Sequence, residues 1–119
     1  MKTKNNYLIV VKQVPPFPLN VGNRIIKNSE LSEVKYLNNE WGGNKNKIKL
    51  DNMYKSIENE NVFFVDTYTI FCNEIEKNFC VGSDSNNIYI YDDNHPSDVG
   101  GELINNKIKY IIDFLNNNP

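Results

Sequence analysis

The sequence has no long hydrophobic run. A helix that crosses a membrane needs ~20 consecutive apolar residues, and no segment of this 119-residue chain approaches that length. The apolar run nearest the N-terminus extends only from Tyr7 to Val11 and stops at Lys12. A secretion signal needs roughly 7–15 apolar residues. We therefore predict no membrane segment in this chain, and a β-strand rather than a leader at this first apolar run.

The sequence also lacks an excess of charge of either sign. Lysine and arginine total 13, aspartate and glutamate total 15, and the formal net charge is −2. There is no basic stripe and no alternation of aromatic with basic residues, so we predict no binding to nucleic acid. Hydrophobic residues make up 39% of the chain. That predicts one domain with a modest core over residues 1–119, with an asparagine-rich tail at 116–119.

Cysteine and histidine are scarce. The two cysteines, Cys72 and Cys80, are eight positions apart, a spacing that fits neither a redox nor a zinc CxxC motif. The spacing leaves open a disulfide that closes a small loop and two unpaired thiols. The one histidine, His95, lies among carboxylates, but a single imidazole without a cysteine partner is thin support for a metal site. Pro96 takes a position where a calcium loop needs a ligand. We expect no metal and no cofactor.

Two stretches predict buried strands of a parallel sheet, because they are nearly continuous apolar runs rich in β-branched residues. They are NYLIVVKQV (6–14), which is stopped by the prolines of PPFPLNV, and NVFFVDTY (61–68). Apolar residues at helical spacing predict a helix over about 46–59, directly before the second strand, and a short helix over 29–37. The segment NNIYIY (86–91) predicts a short third strand or an extended approach.

The last element has the strongest pattern. From Ser97 to Leu115 the apolar positions step by three and four, which is typical of an amphipathic helix. Ser97 or Asp98 can cap its start, because a side-chain oxygen there accepts from N–H groups that have no partner within the helix. The order of the elements predicts an α/β fold with a parallel sheet. Only two substantial strands are present, whereas a doubly wound sheet has about five.

The chemistry is concentrated in YIYDDNHPSDVGGELI, residues 89–104. In Asp92-x-x-His95, on a turn before a helix, the carboxylate can fold back to one imidazole nitrogen, set the tautomer and stabilise the imidazolium. The other ring nitrogen is then free to take a proton from a hydroxyl. From this motif alone, two interpretations stay open: the base half of a Ser-His-Asp site, and a solvated acidic helix start that the helix dipole favours.

Further features extend along the chain in a fixed order. They are the strand and proline-rich turn LIVVKQVPPFPLNV, Asp66 after a buried strand, the cysteine pair, the aromatic approach through Tyr89 and Tyr91, and the block Asp92–Gly100. Together they resemble the C-terminal end of the SGNH hydrolase-like domain. More narrowly, they resemble the version attached to membrane-bound O-acyltransferases that acetylate bacterial cell-surface polysaccharides. The resemblance covers nearly the whole chain and is weakest over residues 25–60.

The resemblance implies a partial flavodoxin-like parallel sheet with flanking helices. It implies acyl transfer or ester hydrolysis on carbohydrate through an acyl-serine, with a carbohydrate acceptor or acyl ester as the partner. His95 would be the general base, Asp92 would orient it, and Asp93 is the less suitable carboxylate. It also fits a disulfide between the cysteines and a location outside the cytoplasm, behind upstream membrane helices. A chain expressed alone, without a signal, would instead be cytoplasmic.

The family's nucleophile is absent from this sequence. That nucleophile is a serine in a G-D-S block, and VGSDSNN (81–87) has these letters in another order, so we interpret it as a polar turn. The chain is therefore expected to be the C-terminal portion of an incomplete domain, from a split or truncated reading frame. An upstream polypeptide would supply the rest. Because residues 7–11 and 62–65 are too apolar for a solvated edge, we expect the chain alone to be unstable or to pair with that polypeptide.

Two alternatives stay beside this interpretation. The chain can be a non-catalytic remnant or interaction module of the same fold. It can also be a small, unrelated α/β binding domain in which the acidic turn only caps a helix.

Overall fold

The structure is a computed structural model, and it describes residues 6–17, 20–23, 33–37 and 44–118. Two small sheets and their helices make up this part of the chain. In order, the elements are β1 (Leu8–Val11), β2 (Val34–Leu37), α1 (Asn44–Ser56), β3 (Val62–Val65), α2 (Thr67–Thr69), a π-helical turn (Ile70–Glu74), β4 (Phe79–Ser83) and α3 (Asp98–Asn117). None of the helices described is both long enough and apolar enough to cross a bilayer.

Strands β1 and β3 form the parallel sheet that the two apolar runs predicted. Their register runs from Leu8 opposite Val62 to Val11 opposite Val65. The amide of Leu8 donates to Asn61 O at 2.9 Å and the amide of Lys12 donates to Val65 O at 3.0 Å, one bond at each end of the pair. The fold is therefore α/β, with a small parallel sheet flanked by helices, as expected.

Helix α1 occupies nearly the predicted span. Its Tyr54 is buried, and the ring lies 5.7 Å from that of Phe64 on β3, in an edge-on arrangement. The hydroxyl of Tyr54 also accepts the amide of Gln13 at 3.0 Å. A buried tyrosine needs a partner for its hydroxyl, and here that partner lies just beyond the end of β1. Helix α1 is thereby attached to the carboxyl end of the parallel sheet.

The second sheet corrects one prediction. The short helix predicted over 29–37 is wrong at 34–37, which form strand β2; residues 29–32 lie outside the described part of the chain. Strand β2 pairs with β4 in the antiparallel sense, with Tyr36 opposite Cys80 and an irregularity between Val34 and Lys35. The apolar spacing of this short segment is compatible with either state, and a pairing partner more than 40 positions away along the chain decides it.

Strand β4 corrects a second prediction. The polar turn predicted over 81–87 is wrong at its start, because Val81 and Ser83 are buried within β4. The turn itself spans only the following residues, where Asp84 Oδ1 accepts the amides of Asn86 and Asn87, each at 2.8 Å. Residues 86–91, predicted as a short third strand or an extended approach, form isolated bridges only, which corresponds to the extended approach. The short, partly polar sequence of β4 did not indicate a strand, because this strand forms by pairing with β2, which is distant in sequence.

The two cysteines are joined by a disulfide inside the core. Cys72 lies in the π-helical turn and Cys80 in β4, and both are buried. The bond attaches the segment after the parallel sheet to the antiparallel sheet. Around it lie other fully buried side chains from several elements, including Val21, Val65, Ile70, Phe71, Val81 and Ile90.

Helix α3 begins where the sequence predicted. Ser97 is the N-cap, and its Oγ accepts the amide of Gly100 at 3.1 Å. Ile104 is buried, and Leu103, Ile108 and Ile111 pack against the core. The middle of the predicted apolar stripe therefore faces inward, whereas Val99 and Ile112 of that stripe are exposed. The first turn lies so close to the preceding chain that a side chain at Gly100 would overlap the carbonyl oxygen of Tyr89.

Two adjacent glycines give a matched test of this close approach. We expect Gly100→Ala to lower the free energy of unfolding by roughly 1–3 kcal/mol, because the added methyl group overlaps a backbone oxygen and not the end of a flexible side chain. Gly101→Ala should be neutral or stabilising by up to about 1 kcal/mol, since no atom lies within 4 Å of the new methyl group and alanine favours helix. Thermal unfolding of both variants checks this, and equal melting temperatures would contradict it.

The disulfide gives a second test. Cys72→Ala together with Cys80→Ala should lower the free energy of unfolding by about 2–3 kcal/mol, because the bond closes a short loop and restricts the unfolded chain. Guanidinium unfolding with and without reductant measures the effect. The unmodified chain should shift on reduction to the position of the double variant, whereas the variant should not respond to reductant. A transition that is the same for all samples would contradict the prediction.

Candidate active site

The loop that carries His95 is closed by its own backbone. The amide of Tyr91 donates to His95 O at 3.1 Å, and the amide of Ser97 donates to Tyr89 O at 2.8 Å. Ile90 and Pro96 form an isolated antiparallel bridge between these bonds. The loop therefore returns the chain to the start of α3, with His95 near its tip.

Asp92 organises the inside of this loop. Its Oδ1 accepts the amide of Asn94 at 2.8 Å and the amide of His95 at 2.7 Å. Its Oδ2 lies 2.7 Å from Nδ1 of the His95 ring, in a hydrogen bond. One carboxylate thus holds both the backbone and the ring of the residue three positions later. Asp93 does not take part through its side chain, which is exposed.

The ring of His95 faces solvent. The side chain is 62% exposed, whereas that of Asp92 is 24% exposed. One face of the ring stacks on Tyr91, with centroids 5.8 Å apart and an angle of 20° between the planes. An ionised carboxylate only accepts hydrogen bonds, so Nδ1 is the donor and the lone pair of a neutral imidazole lies on Nε2. Among the described residues, no group is hydrogen-bonded to Nε2.

The hydrogen bonds of Asp92 also affect its ionisation. The amide of Asn94 stabilises the carboxylate most, desolvation opposes it, and the ring and the amide of His95 stabilise it further, so that the pKa of Asp92 lies below its ordinary value. Asp92 is therefore ionised at neutral pH. It is in the state that orients a histidine and stabilises the imidazolium form.

The outside of the loop is attached to the chain that follows β1. The anchors are the proline-rich segment and the helical turn at 21–23. Three backbone hydrogen bonds form the attachment: Phe17 N to Asp93 O at 2.6 Å, Val21 N to Asp92 O at 3.0 Å, and Gly22 N to Tyr91 O at 3.0 Å. A side chain at Gly22 would overlap the carbonyl oxygen of Tyr91, so this contact requires glycine. Local sequence patterns did not indicate these anchors.

A family model described as "SGNH domain (fused to AT3 domains)" matches residues 1–109. The chain belongs to this SGNH domain family. Searches of curated proteins and of solved structures gave no significant match.

In the described part of this SGNH domain, Ser56, Ser83 and Ser97 have structural positions of their own. Ser97 caps α3 and its hydroxyl donates to Ile88 O. Ser83 is buried in β4, and the hydroxyl of Ser56 donates to Met53 O. No serine of the described residues is hydrogen-bonded to the ring of His95. Ser29 and Ser32, which fall within the helix predicted over 29–37, lie outside the described residues.

Asp66 and the two cysteines, which the resemblance also singled out, have structural roles. Asp66 follows β3 and caps α2, with its Oδ1 accepting the amides of Tyr68 at 3.0 Å and Thr69 at 3.4 Å. Cys72 and Cys80 lie in the core. No cluster of three or more histidine, cysteine or acidic side chains suited to a metal ion occurs in the described ranges.

The ionisation of Asp92 is directly testable. We expect carboxyl-carbon NMR of the chain to give a pKa for Asp92 below the ordinary 3.8. Since the folded-state pKa is depressed, this group stabilises the fold above its unfolded pKa, and the contribution is lost as pH falls through the folded pKa. The amide signals of Asn94 and His95 should shift with the same midpoint. A midpoint at or above 3.8 would contradict the hydrogen-bonding scheme.

Proposed function

We propose that this chain is the C-terminal portion of an SGNH-type O-acyltransferase or esterase domain and supplies the base of its active site. The substrate would be an acyl group, such as acetyl, on cell-surface carbohydrate. The observation that carries the proposal is the 2.7 Å hydrogen bond between His95 Nδ1 and Asp92 Oδ2 on a ring that is otherwise open to solvent. Membership of a family whose domains are fused to acyltransferase-type domains supports the same chemistry.

The proposed chemistry proceeds in two steps. A serine hydroxyl attacks the ester carbonyl, and Nε2 of His95 takes the hydroxyl proton as the bond forms. Asp92 stabilises the imidazolium that results, and the imidazolium then protonates the departing alkoxide to leave an acyl-serine. In the second step Nε2 takes a proton from a carbohydrate hydroxyl or from water. That oxygen attacks the acyl-serine, and the serine oxygen recovers its proton.

In this proposal the serine and the oxyanion donors come from another polypeptide segment. The parallel sheet supports that view. Strand β1 pairs with β3 alone among the described residues, and the alternation of a parallel ladder leaves the peptide groups of Ile9 and Val11 on the other edge. The side chains of Leu8 and Val11 on β1 are also exposed. An apolar, unpaired edge of this kind favours addition of a further strand, so residues 1–119 would form one incomplete domain.

The base assignment is tested with the chain bound to a polypeptide that carries the G-D-S block. We expect His95→Ala to lower the rate of acetyl-ester hydrolysis by about 10²- to 10⁴-fold, because proton transfer by a positioned base contributes that much. Asp92→Asn should lower it too, since the amide keeps the turn but removes the charge that stabilises the imidazolium. Stopped assays with p-nitrophenyl acetate measure the rates.

Asp93→Asn is the matched control. It removes the same charge one position away, from a side chain that is exposed and lies outside the Asp92–His95 hydrogen bond, so the rate should stay within about twofold. Equal rates for His95→Ala and the unchanged chain would remove His95 from the mechanism. If the two polypeptides bind each other without any ester hydrolysis, the non-catalytic module becomes the better interpretation.

A further inference from the structure

In the approach to the His95 loop, burial explains the side chains of Tyr89 and Ile90 but not that of Tyr91. Tyr89 is buried, and its hydroxyl donates to Asp84 Oδ2 at 2.8 Å. Ile90 is fully buried in the core. Tyr91 is 54% exposed, so packing in the core does not account for an aromatic ring at this position. The ring that lies against it is that of His95.

The rings of Tyr91 and His95 form an offset stack. Their centroids are 5.8 Å apart and their planes make an angle of 20°, which is within the range in which aromatic pairs attract each other. A contact of this kind covers one face of the imidazole. It leaves the ring edge that carries Nε2 free to meet a hydroxyl group.

The backbone of Tyr91 is held from two sides. Its amide donates to His95 O at 3.1 Å inside the loop, and its carbonyl oxygen accepts the amide of Gly22 at 3.0 Å from outside. A side chain at Gly22 would overlap that oxygen, so the outer anchor lies close against Tyr91. The tyrosine ring therefore projects from a fixed point of the backbone, beside the ring that it contacts.

The hydrogen bond to Asp92 does not by itself fix the plane of the imidazole. The ring is held at two neighbouring atoms, at Cγ by its own chain and at Nδ1 by Asp92 Oδ2, so it can still tilt about that edge. Nε2 lies opposite this edge of the ring, and a tilt therefore displaces Nε2 the most. A nearly parallel ring against one face opposes the tilt. Reaction rates are sensitive to displacements of about 1 Å.

We propose that Tyr91 is a positioning residue, whose ring holds the plane of the His95 imidazole so that Nε2 stays directed at the reacting hydroxyl. The inference rests on the proposed function for the reaction that His95 serves. The ordering of the imidazole depends only on residues of this chain, and its measurement needs neither the nucleophile nor the second polypeptide. Tyr91 acts through its ring and not its hydroxyl, so phenylalanine should replace it.

NMR of the full chain tests the ordering of the ring, because His95 is the one histidine and its ring signals are therefore unambiguous. The couplings that report the χ1 and χ2 angles of His95 should indicate one conformation in the unchanged chain and in Tyr91→Phe. Tyr91→Leu should give averaged couplings. The amide signals of Asn94 and His95 should persist in all three, because Asp92 still accepts both amides.

Tyr110→Leu is the matched control for this measurement. It makes the same change on an exposed tyrosine of α3 and should leave the His95 couplings unchanged. Tyr91→Met is a second variant without the aromatic ring, to be measured if Tyr91→Leu does not fold. One fixed conformation of His95 in either of these ring-deleted variants overturns the proposal, as does averaging in the unchanged chain.

Kinetics in the complex with the polypeptide that carries the G-D-S block test the role in catalysis. We expect Tyr91→Leu to lower kcat for p-nitrophenyl acetate hydrolysis by about three- to tenfold, the effect of losing one aromatic contact. KM should stay within about twofold, because Tyr91 does not bind substrate in this proposal. Tyr91→Phe should keep kcat within about twofold. A raised KM at unchanged kcat overturns the proposal, since it indicates a contact with substrate.

A double variant tests whether Tyr91 acts through His95. With His95→Ala in place, Tyr91→Leu should change the residual rate by less than about twofold, because the imidazole that Tyr91 holds is gone. An equal loss in the presence and absence of His95 indicates that the two residues act independently, and it overturns the proposal.

The positioning role and the proposed function can be distinguished when they fail. If His95→Ala lowers ester hydrolysis but Tyr91→Leu leaves kcat unchanged, the proposed function stands and the positioning role is refuted. If His95→Ala leaves hydrolysis unchanged, the base assignment is refuted and the catalytic role of Tyr91 with it, whatever the NMR couplings show about the order of the ring.

Discussion

Three backbone hydrogen bonds, from the chain after β1 to carbonyls of residues 91–93, are the constraint on which the site depends. A short polar loop without such contacts would sample many conformations, at a cost of about 1–2 kcal/mol for each residue that is then ordered. Here the amides of Phe17, Val21 and Gly22 hold the loop from outside. Asp92 holds it from inside with both carboxylate oxygens. The orientation of His95 results from these two sets of contacts acting together.

The sheet and the site both fit the proposal that a further segment completes the domain. The described part of β1 has one edge without a partner strand, and the described residues place no serine on the ring of His95. In a parallel α/β sheet, side chains that act together follow the carboxyl ends of neighbouring strands. A strand added beside β1 would bring its own carboxyl end to the side of the sheet where Phe17 holds the His95 loop. One further segment could therefore complete both the sheet and the site.

Local patterns in the sequence predicted the elements that depend on local interactions. Helix α3 follows from its apolar period and from Ser97, and the Asp92–His95 hydrogen bond follows from a spacing of three residues on a turn. The parallel pairing of the two apolar runs was predicted correctly from their continuous apolar character. The predicted burial on both faces is wrong for β1, because Leu8 and Val11 are exposed. Strands β2 and β4 were missed. Their short, partly polar sequences acquire strand structure from each other, across more than 40 positions of chain.

The sequence by itself determined the family, the α/β class and the histidine with its carboxylate partner, because these are encoded by the order and spacing of residues along the chain. Only the tertiary structure decided what holds the loop in place, that the cysteines are bonded inside the core, and that Lys12, Tyr54 and Asp66 line one depression. Each of these depends on groups that are distant in sequence and meet through packing and backbone hydrogen bonds. A local sequence pattern does not show which distant residues come into contact in the folded chain.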